Sequence, residues 1–541
     1  MAFRITVIFA GFGIGYAALL FNIFNLQLEK GSYYAARAES QYRAAGGLAP
    51  PRGNIFITDK NGTKIPVAIN RDYPLIFAVP KEIEDAAEAA EKLAGIIGKT
   101  PADLTALLAK LNDPYESLTK RATSEQIDAV RALDLAGVYV DAESGRFYPL
   151  GSLVSHLVGF SNFDDKEERV VGRYGVELFY NGQLAGNPGQ ATGDKVIPYT
   201  TGEDVLLTID RNIQSRADEI LRALIKERNA IGGSFIVQEP KTGKILAMGG
   251  VPNFDSNEYG KSELGVFLNP TIQGVYEPGS VFKLFTMAAG IESGAITPET
   301  TYYDSGSVTL NGRTIRNWDL KAHGKQTMTN VIEQSLNTGA IFAMRETGYE
   351  QFYRYLVAFG FAEPTGIGLP GELKGNLTNI KNGRDINYAT ASFGQGISVT
   401  ALELVNAVSA IANSGMRMRP YILARESPRE ASRVISEDTA RKVTQMMVSA
   451  VEKNLIARIP RYTVAGKTGS AFIPDFKRGG YTDDVINTYV GFAPAHDPQF
   501  TILVRLDHPA GAPLAGLTVV PAFRELAEFI LNYYTIPPDK P

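Results

Sequence analysis

The stretch EPGSVFKLF, Glu277 to Phe285, sets a serine and a lysine three residues apart at the head of an apolar run. Pro278 and Gly279 break the chain just before Ser280, and VFKLFTMAAGI continues as an almost wholly apolar helical pattern. On such a helix Ser280 and Lys283 share one face, within side-chain reach. Burial there penalises the charged ammonium and lowers the lysine pKa, which suits a proton acceptor for a nucleophilic serine. Free N–H groups at the helix start lie near that serine. The plainer reading is a helix cap followed by a surface lysine. The remaining sequence decides between the two.

SxxK is a weak pattern alone, and it occurs a second time at Ser117-Leu118-Thr119-Lys120, inside NDPYESLTKRAT. That setting is polar and offers no apolar helix to hold the pair rigid, so Ser117 reads as a turn or cap residue. KTG also occurs twice. Lys241-Thr242-Gly243 sits between two strand patterns, where turn geometry accounts for the glycine. Lys467-Thr468-Gly469-Ser470 lies along a strand in YTVAGKTGSAFI. Alternation there sends Lys467 and Gly469 to one face and Thr468 and Ser470 to the other unless the strand twists, and a strand glycine often marks close approach of a ligand or backbone. SxN occurs at Ser335-Leu336-Asn337, where two helical patterns meet. The ordered set SxxK, SxN, KTG leaves one self-consistent assignment, at Ser280, Ser335 and Lys467, because Lys241 precedes the serine.

The bulk properties fit this reading and exclude others. A chain of 541 residues is too long for one small core, and two or three domains are expected. Hydrophobic content of 44% with 21% charged residues is that of a folded protein rather than a multi-span membrane protein. A net charge of −4 gives no electrostatic case for nucleic acid. The absence of cysteine removes disulfides and thiolate chemistry together. The four histidines stand at no zinc-ligand spacing, no HExxH occurs, and each reads as exposed or hydrogen-bonded on its own.

Ile5 to Phe24 carries no charge over about twenty residues, about 30 Å of helix, enough for a bilayer core. A cleaved signal would have a shorter apolar core and a small-residue site, whereas this run ends FNIFNLQLEK, so an uncleaved anchor is expected with the remainder exported. GFGIG at Gly11 to Gly15 has no strand before it and reads as a small-residue packing face rather than a nucleotide loop. Beyond lie a helical stretch at Gln27 to Arg43, strands at Asn54 to Thr58 and Lys64 to Ile69 about an Asn61-Gly62 turn, and two helices between Ile83 and Lys110 parted near Pro101. The second half suggests helices at Arg211 to Arg228, Ser280 to Ser293, Met328 to Arg345 and Ala522 to Tyr534. Strands are expected either side of the Pro240 to Gly243 turn, and at Tyr462 to Ala465, Ile486 to Phe492 and Phe500 to Asp507. This is an α+β pattern, helices packed on an antiparallel sheet.

The three ordered elements make the chain resemble a penicillin-recognising acyl-serine transferase. PRGNIFITDKNG, GRFYPLGSLVSHLVGF, GRYGVELFYNGQLAGNPG, FGQGISVTALELVNAVSAIAN and YVGFAPAHDPQFTILVRLDHP look like blocks of class B high-molecular-weight penicillin-binding proteins. The resemblance implies an anchor at residues 1–28, a non-catalytic pedestal at 29–205 and a transpeptidase domain at 206–541. It implies Ser280 as nucleophile, Lys283 as its base, Ser335 with Lys467 relaying a proton, Asn337 holding the substrate amide or orienting Lys283, and Thr468, Gly469 and Ser470 along the substrate, the two hydroxyls on its carboxylate. No metal or organic cofactor is implied. The implied ligands are stem peptides ending in D-Ala-D-Ala and β-lactams, and the implied place is the cell membrane, single-pass, with the catalytic domain outside the cytoplasm. No region for a glycan polymerase precedes PRGNIF, so a membrane glycosyltransferase of the shape, elongation, division and sporulation group is the expected partner. The ending GLTVVPAFRELAEFILNYYTIPPD looks closer to division-type members. Ser470 stands where the family usually has threonine, and His508 where an acidic residue is expected. A dedicated β-lactamase, a β-lactam sensor and an inert scaffold are the rival readings; the large N-terminal region, the missing HExxH and the intact five-residue set argue against each in turn, which leaves hydrolase or D,D-carboxypeptidase activity as the reading next after transpeptidation.

Overall fold

The computed structural model describes residues 2–24 and 50–541, apart from 111–112, 165, 167–168, 189, 193–194, 198, 382, 476 and 512–513. The helix expected at Gln27 to Arg43 lies outside the described residues. The N-terminal helix runs Ala2–Phe24, 23 residues. Its side chains are described from Phe9 onward, and the large apolar ones among them stand exposed. Among the described residues no helix is long and apolar enough to cross a membrane.

In the pedestal, strand Ile55–Thr58 pairs antiparallel with Lys64–Ala78 through the expected tight turn, and parallel with Val205–Asp210. Lys64–Ala78 runs well past Ile69 because Val138–Phe147 pairs with it from Ile69 to Ala78 and carries it through the polar Arg71-Asp72 stretch. Glu116–Lys120 pairs on its other side. Ser117 is therefore a strand residue opposite Phe77, not the turn or cap expected. Helices Ala86–Ile97 and Pro101–Leu108 part at Pro101 as their caps require. Asp85 and Thr100 accept from the first free N–H groups, and Pro101 follows its cap directly.

Glu177 is wholly buried between two guanidiniums, Arg52 (Nε to Oε2 2.7 Å) and Arg146 (Nε to Oε1 2.7 Å). The pair sews the PRGN segment to the GVELF helix, and a carboxylate so enclosed is tolerable only because both oxygens are matched. The pedestal docks on the C-terminal half through Ser256 Oγ to Gly159 O (2.8 Å), Asn257 Nδ2 to Tyr148 O (2.9 Å) and His156 Nε2 to Val266 O (2.9 Å). Phe160, Phe254, Phe267 and Tyr259 pack ring on ring beneath these bonds.

The C-terminal half is built on a five-stranded antiparallel sheet ordered Ile245–Val251, Gly232–Gln238, Phe500–Asp507, Tyr481–Ala493, Ala465–Pro474. Side chains alternate between its faces. Phe235, Val237, Ile502 and Val504 meet helices Arg211–Arg228 and Val519–Tyr533 on one side. Ile236, Leu503 and Val490 meet the central helices Lys283–Glu292 and Ala401–Ala412 on the other. The largely apolar pattern of Lys283–Glu292 follows from that position: it is surrounded, with only its last residue reaching the surface. The strand expected at Tyr462 to Ala465 is replaced by an isolated bridge from Tyr462 to Ile459, and the strand proper begins at Ala465. The helix expected from Met328 to Arg345 is two, Met328–Gln334 and Asn337–Thr347, because Ser335 turns left-handed at φ +58°.

Candidate active site

Ser280 sits in a single 3₁₀ turn, Gly279–Phe282, that leads into helix Lys283–Glu292. The turn is forced by Gly279, which has φ +57° and whose missing Cβ would meet Ser470 O at 2.9 Å. The Ser280 turn and the KTG strand are thus in backbone contact. Across the cleft, the break between the two helices brings Ser335 and Asn337 inward.

These elements converge on one nitrogen. Lys283 Nζ is 3.0 Å from Ser280 Oγ, 2.6 Å from Ser335 O, 3.2 Å from Ser335 Oγ and 2.9 Å from Asn337 Oδ1. Asn337 Nδ2 donates to Arg316 O at 2.9 Å, which fixes the carboxamide with its oxygen toward the lysine. A neutral amine has two N–H donors and one lone pair. Ser335 O and Asn337 Oδ1 can only accept, so they take both donors and leave the lone pair for a hydroxyl, of which Ser280 at 3.0 Å is nearer than Ser335 at 3.2 Å. Lys283 is fully buried, and burial, followed by repulsion from Lys467, holds its pKa well below the ordinary lysine value. Lys467 Nζ lies 3.0 Å from Ser335 Oγ, so the two amines flank one hydroxyl, and burial pushes Lys467 down to about 7. Near neutrality Lys467 therefore carries the proton part of the time.

Lys467 to Ser470 lie on Ala465–Pro474, the edge strand of the sheet. Gly469 faces the Ser280 turn, and a Cβ there would meet Pro278 O at 2.6 Å. Thr468 and Ser470 line a cavity of about 580 Å³ with Ser280, Ser335 and Lys467. Thr468 Oγ1 is 3.3 Å from Lys467 Nζ. Ser470 Oγ instead donates to Asn487 Oδ1 (2.9 Å) and accepts from Ala515 N (3.1 Å). All eight residues picked from the sequence are therefore brought to one cleft, with the Ser470 hydroxyl engaged by the protein.

The decoys lie elsewhere. Lys120 pairs with Glu143 on the pedestal sheet, and Lys241 with Asp497 at a hairpin turn whose Gly243 has φ +85°. His156 is buried, pushed down to about 4 by that burial, and bonded to Val266 O at 2.9 Å. His323, which the sequence gave no reason to single out, lines the cavity wall with Nε2 2.9 Å from Asp319. His508 has φ +48° and lies 3.4 Å from Asp484. Among the described residues no three His, Asp or Glu converge as a metal site.

Several cleft residues carried no sequence signal. Trp318, the chain's single tryptophan, lines the cavity and donates to Gln334 O at 2.9 Å. Glu277, three residues before Ser280, accepts from Gly396 N (3.0 Å) and from the Tyr481 hydroxyl (3.1 Å), and burial raises its pKa. Its spacing from the serine was visible, but the loops it joins lie more than a hundred residues away.

Comparison with known proteins agrees with this geometry. Residues 233–528 match the model of the penicillin binding protein transpeptidase domain, and residues 48–195 that of the penicillin-binding protein dimerisation domain. Stage V sporulation protein D of Bacillus subtilis is 32% identical over 91% of this chain and 80% of its own length. Peptidoglycan D,D-transpeptidase FtsI of Escherichia coli is 29% identical, covering 90% of this chain and 84% of its own. Among solved structures, penicillin binding protein 3 of Mycobacterium tuberculosis in complex with aztreonam superposes with a TM-score of 0.70 at 26% identity, over 91% of this chain and 98% of that one. With both domains matched in order and the lysine–serine cluster assembled wholly within residues 233–528, the chain belongs to the class B high-molecular-weight penicillin-binding proteins, the serine-type peptidoglycan D,D-transpeptidases.

Proposed function

We propose that this chain cross-links peptidoglycan stem peptides through an acyl-enzyme on Ser280. The observation that carries the reading is the pairing of Lys283 Nζ, whose lone pair is left for Ser280 once its two fixed acceptors are filled. Ser280 Oγ attacks the carbonyl between the terminal D-alanines, and Lys283 takes its proton. The tetrahedral oxyanion sits between the backbone N–H groups of Ser280 and Ser470, an arrangement worth roughly 10²–10³ in rate. Collapse breaks the C–N bond, and D-alanine leaves with a proton that Lys467 supplies through Ser335; the proton on Lys283 then passes through the same hydroxyl to Lys467, which recharges Lys467 and returns Lys283 to the free base. An acceptor amine then attacks the ester, gives its proton to Lys283, and Ser280 departs as the reprotonated alcohol. Asn337 holds Lys283 in register. The substrate lies along the open edge of Ala465–Pro474 as an added strand. Lys467 and Thr468 hold its terminal carboxylate, with Ser470 joining by turning from Asn487. A β-lactam acylates the same serine, but its amine remains tethered and cannot leave.

The division at residues 28 and 205 belongs to this proposal, with 29–205 as the pedestal and 206–541 as the catalytic unit. So does a single-pass anchor in the N-terminal helix, supported by the uncharged apolar run Ile5 to Phe24 of the sequence and by the exposed apolar side chains from Phe9 onward, with the rest of the chain outside the cytoplasm. A membrane glycosyltransferase of the shape, elongation, division and sporulation group supplies the glycan strands, and the likeness of the chain's ending to division-type members supports septal wall synthesis. The test is to incubate the full chain with a stem peptide ending in D-Ala-D-Ala and an amine acceptor, then quantify cross-linked dimer and free D-alanine. Dimer formed in step with D-alanine release supports the reading. D-alanine without dimer makes the chain a carboxypeptidase.

A further inference from the structure

The helix Asn337–Thr347 begins at Leu336, which has no side chain able to cap it. The cap comes from another part of the chain. Asn317 Oδ1 accepts from Asn337 N (3.0 Å) and Thr338 N (3.3 Å), the first free donors of that helix. Asn317 is almost wholly buried, and its Nδ2 donates to Asp304 Oδ2 at 2.8 Å, which fixes the amide with its oxygen toward the helix. Asp304, also buried, accepts in addition from Gly306 N, His323 N and Thr338 Oγ1, and so anchors the loop to the helix it caps. The residues on either side of Asn317 complete a clamp. Arg316 O accepts from Asn337 Nδ2 at 2.9 Å, and Trp318 Nε1 donates to Gln334 O at 2.9 Å, immediately before the left-handed Ser335.

We infer that the loop Arg316-Asn317-Trp318 holds the Ser335–Asn337 segment in register, with Asn317 the positioning residue that aims the Asn337 carboxamide at Lys283. The inference rests on the reading of Lys283 as proton acceptor for Ser280. Asn317 touches neither lysine nor substrate and acts through Asn337. Its removal lets the start of the helix drift, so Lys283 loses one of two fixed acceptors and its lone pair is no longer confined to Ser280.

A double-mutant cycle on the full chain tests this, reading the second-order rate of acylation by benzylpenicillin for the wild type, Asn317→Ala, Asn337→Ala and the double variant. Asn317→Ala is expected to slow acylation by roughly 10- to 100-fold, the scale of an ångström-level misplacement. In the Asn337→Ala background the same change costs less than about twofold, because the group being aimed is gone. The thermal midpoint falls alike in both backgrounds, since the lost cap serves backbone N–H groups that both retain. The acid limb of the rate profile moves down in Asn317→Ala, because a carboxamide oxygen that favoured the ammonium has withdrawn. Equal rate losses in both backgrounds, or undiminished acylation by Asn317→Ala, overturn the inference alone. A Lys283→Ala chain that still acylates at the wild-type rate overturns the proton-acceptor reading and this inference with it.

Discussion

Gly469→Ala probes the contact that sets the distance between the KTG strand and the nucleophile turn. The added carbon meets Pro278 O at 2.6 Å and Val281 Cγ2 at 3.0 Å. The first is backbone and cannot swing aside. Ordinary contact begins near 3.4 Å, so strand and turn must part by about 0.8 Å. The strand is held on its other side by Tyr481–Ala493, with Gly469 opposite Thr488, so the shift falls on the cleft. Lys467, two residues earlier and 3.0 Å from Ser335 Oγ, is carried with it, as is the backbone N–H of Ser470. A displacement of this size costs roughly 10- to 100-fold in acylation, about 1.4–2.7 kcal/mol of barrier. The assay is stopped-flow or gel-based acylation by a fluorescent penicillin, with end-point stoichiometry counting the folded sites. Gly265→Ala, where the new carbon has nothing within 4 Å, serves as the control and is expected to acylate as the wild type does. Full stoichiometry with a rate within twofold of wild type would refute the argument that this contact fixes the cleft.

Two further outcomes follow from the charges. The acylation rate of the free enzyme is expected to be bell-shaped in pH. It rises as Lys283, held well below the ordinary lysine range, loses its proton and becomes a base, and it falls as Lys467, at about 7, loses the charge that holds the carboxylate. An alkaline limb near 10 would contradict the buried placement of Lys467. In the pedestal, Glu177→Ala leaves Arg52 and Arg146 buried without their shared carboxylate and is expected to destabilise that domain by about 3–5 kcal/mol. Urea denaturation of the full chain followed by hydrogen exchange of the pedestal amides measures it, and a loss under about 1 kcal/mol would mean that water replaces the glutamate.

What was legible in the sequence was local. Arg211–Arg228 has its Asp210 cap, its buried face at helical spacing and its Asn229 stop within twenty residues, and its bounds were read without error. The same holds for Ser280 and Lys283, one turn apart on an apolar run. The order of the three motifs separated true from decoy pairs because order survives folding. What was missed depended on partners far along the chain. Ser117 lies in a strand because Phe77 lies opposite, and nothing in its polar neighbourhood announces that partner. Ser335 breaks an apparently continuous helix because Lys283, fifty-two residues away, takes its carbonyl. Asn317 and Trp318 sat in an ordinary polar stretch, and only the tertiary fold places them on the helix start they secure. The fate of Ser470 is of the same kind: its hydroxyl was expected on the substrate, whereas Asn487 on the neighbouring strand holds it here.

The central claim, that Ser280 is the acylated nucleophile, is tested most directly by intact-mass spectrometry of the protein mixed with benzylpenicillin and followed over time. Ser280→Ala and Ser117→Ala are run beside the wild type. A long-lived adduct of one penicillin per chain is expected in the wild type and in Ser117→Ala, and none in Ser280→Ala. An adduct that persists in Ser280→Ala would contradict the account.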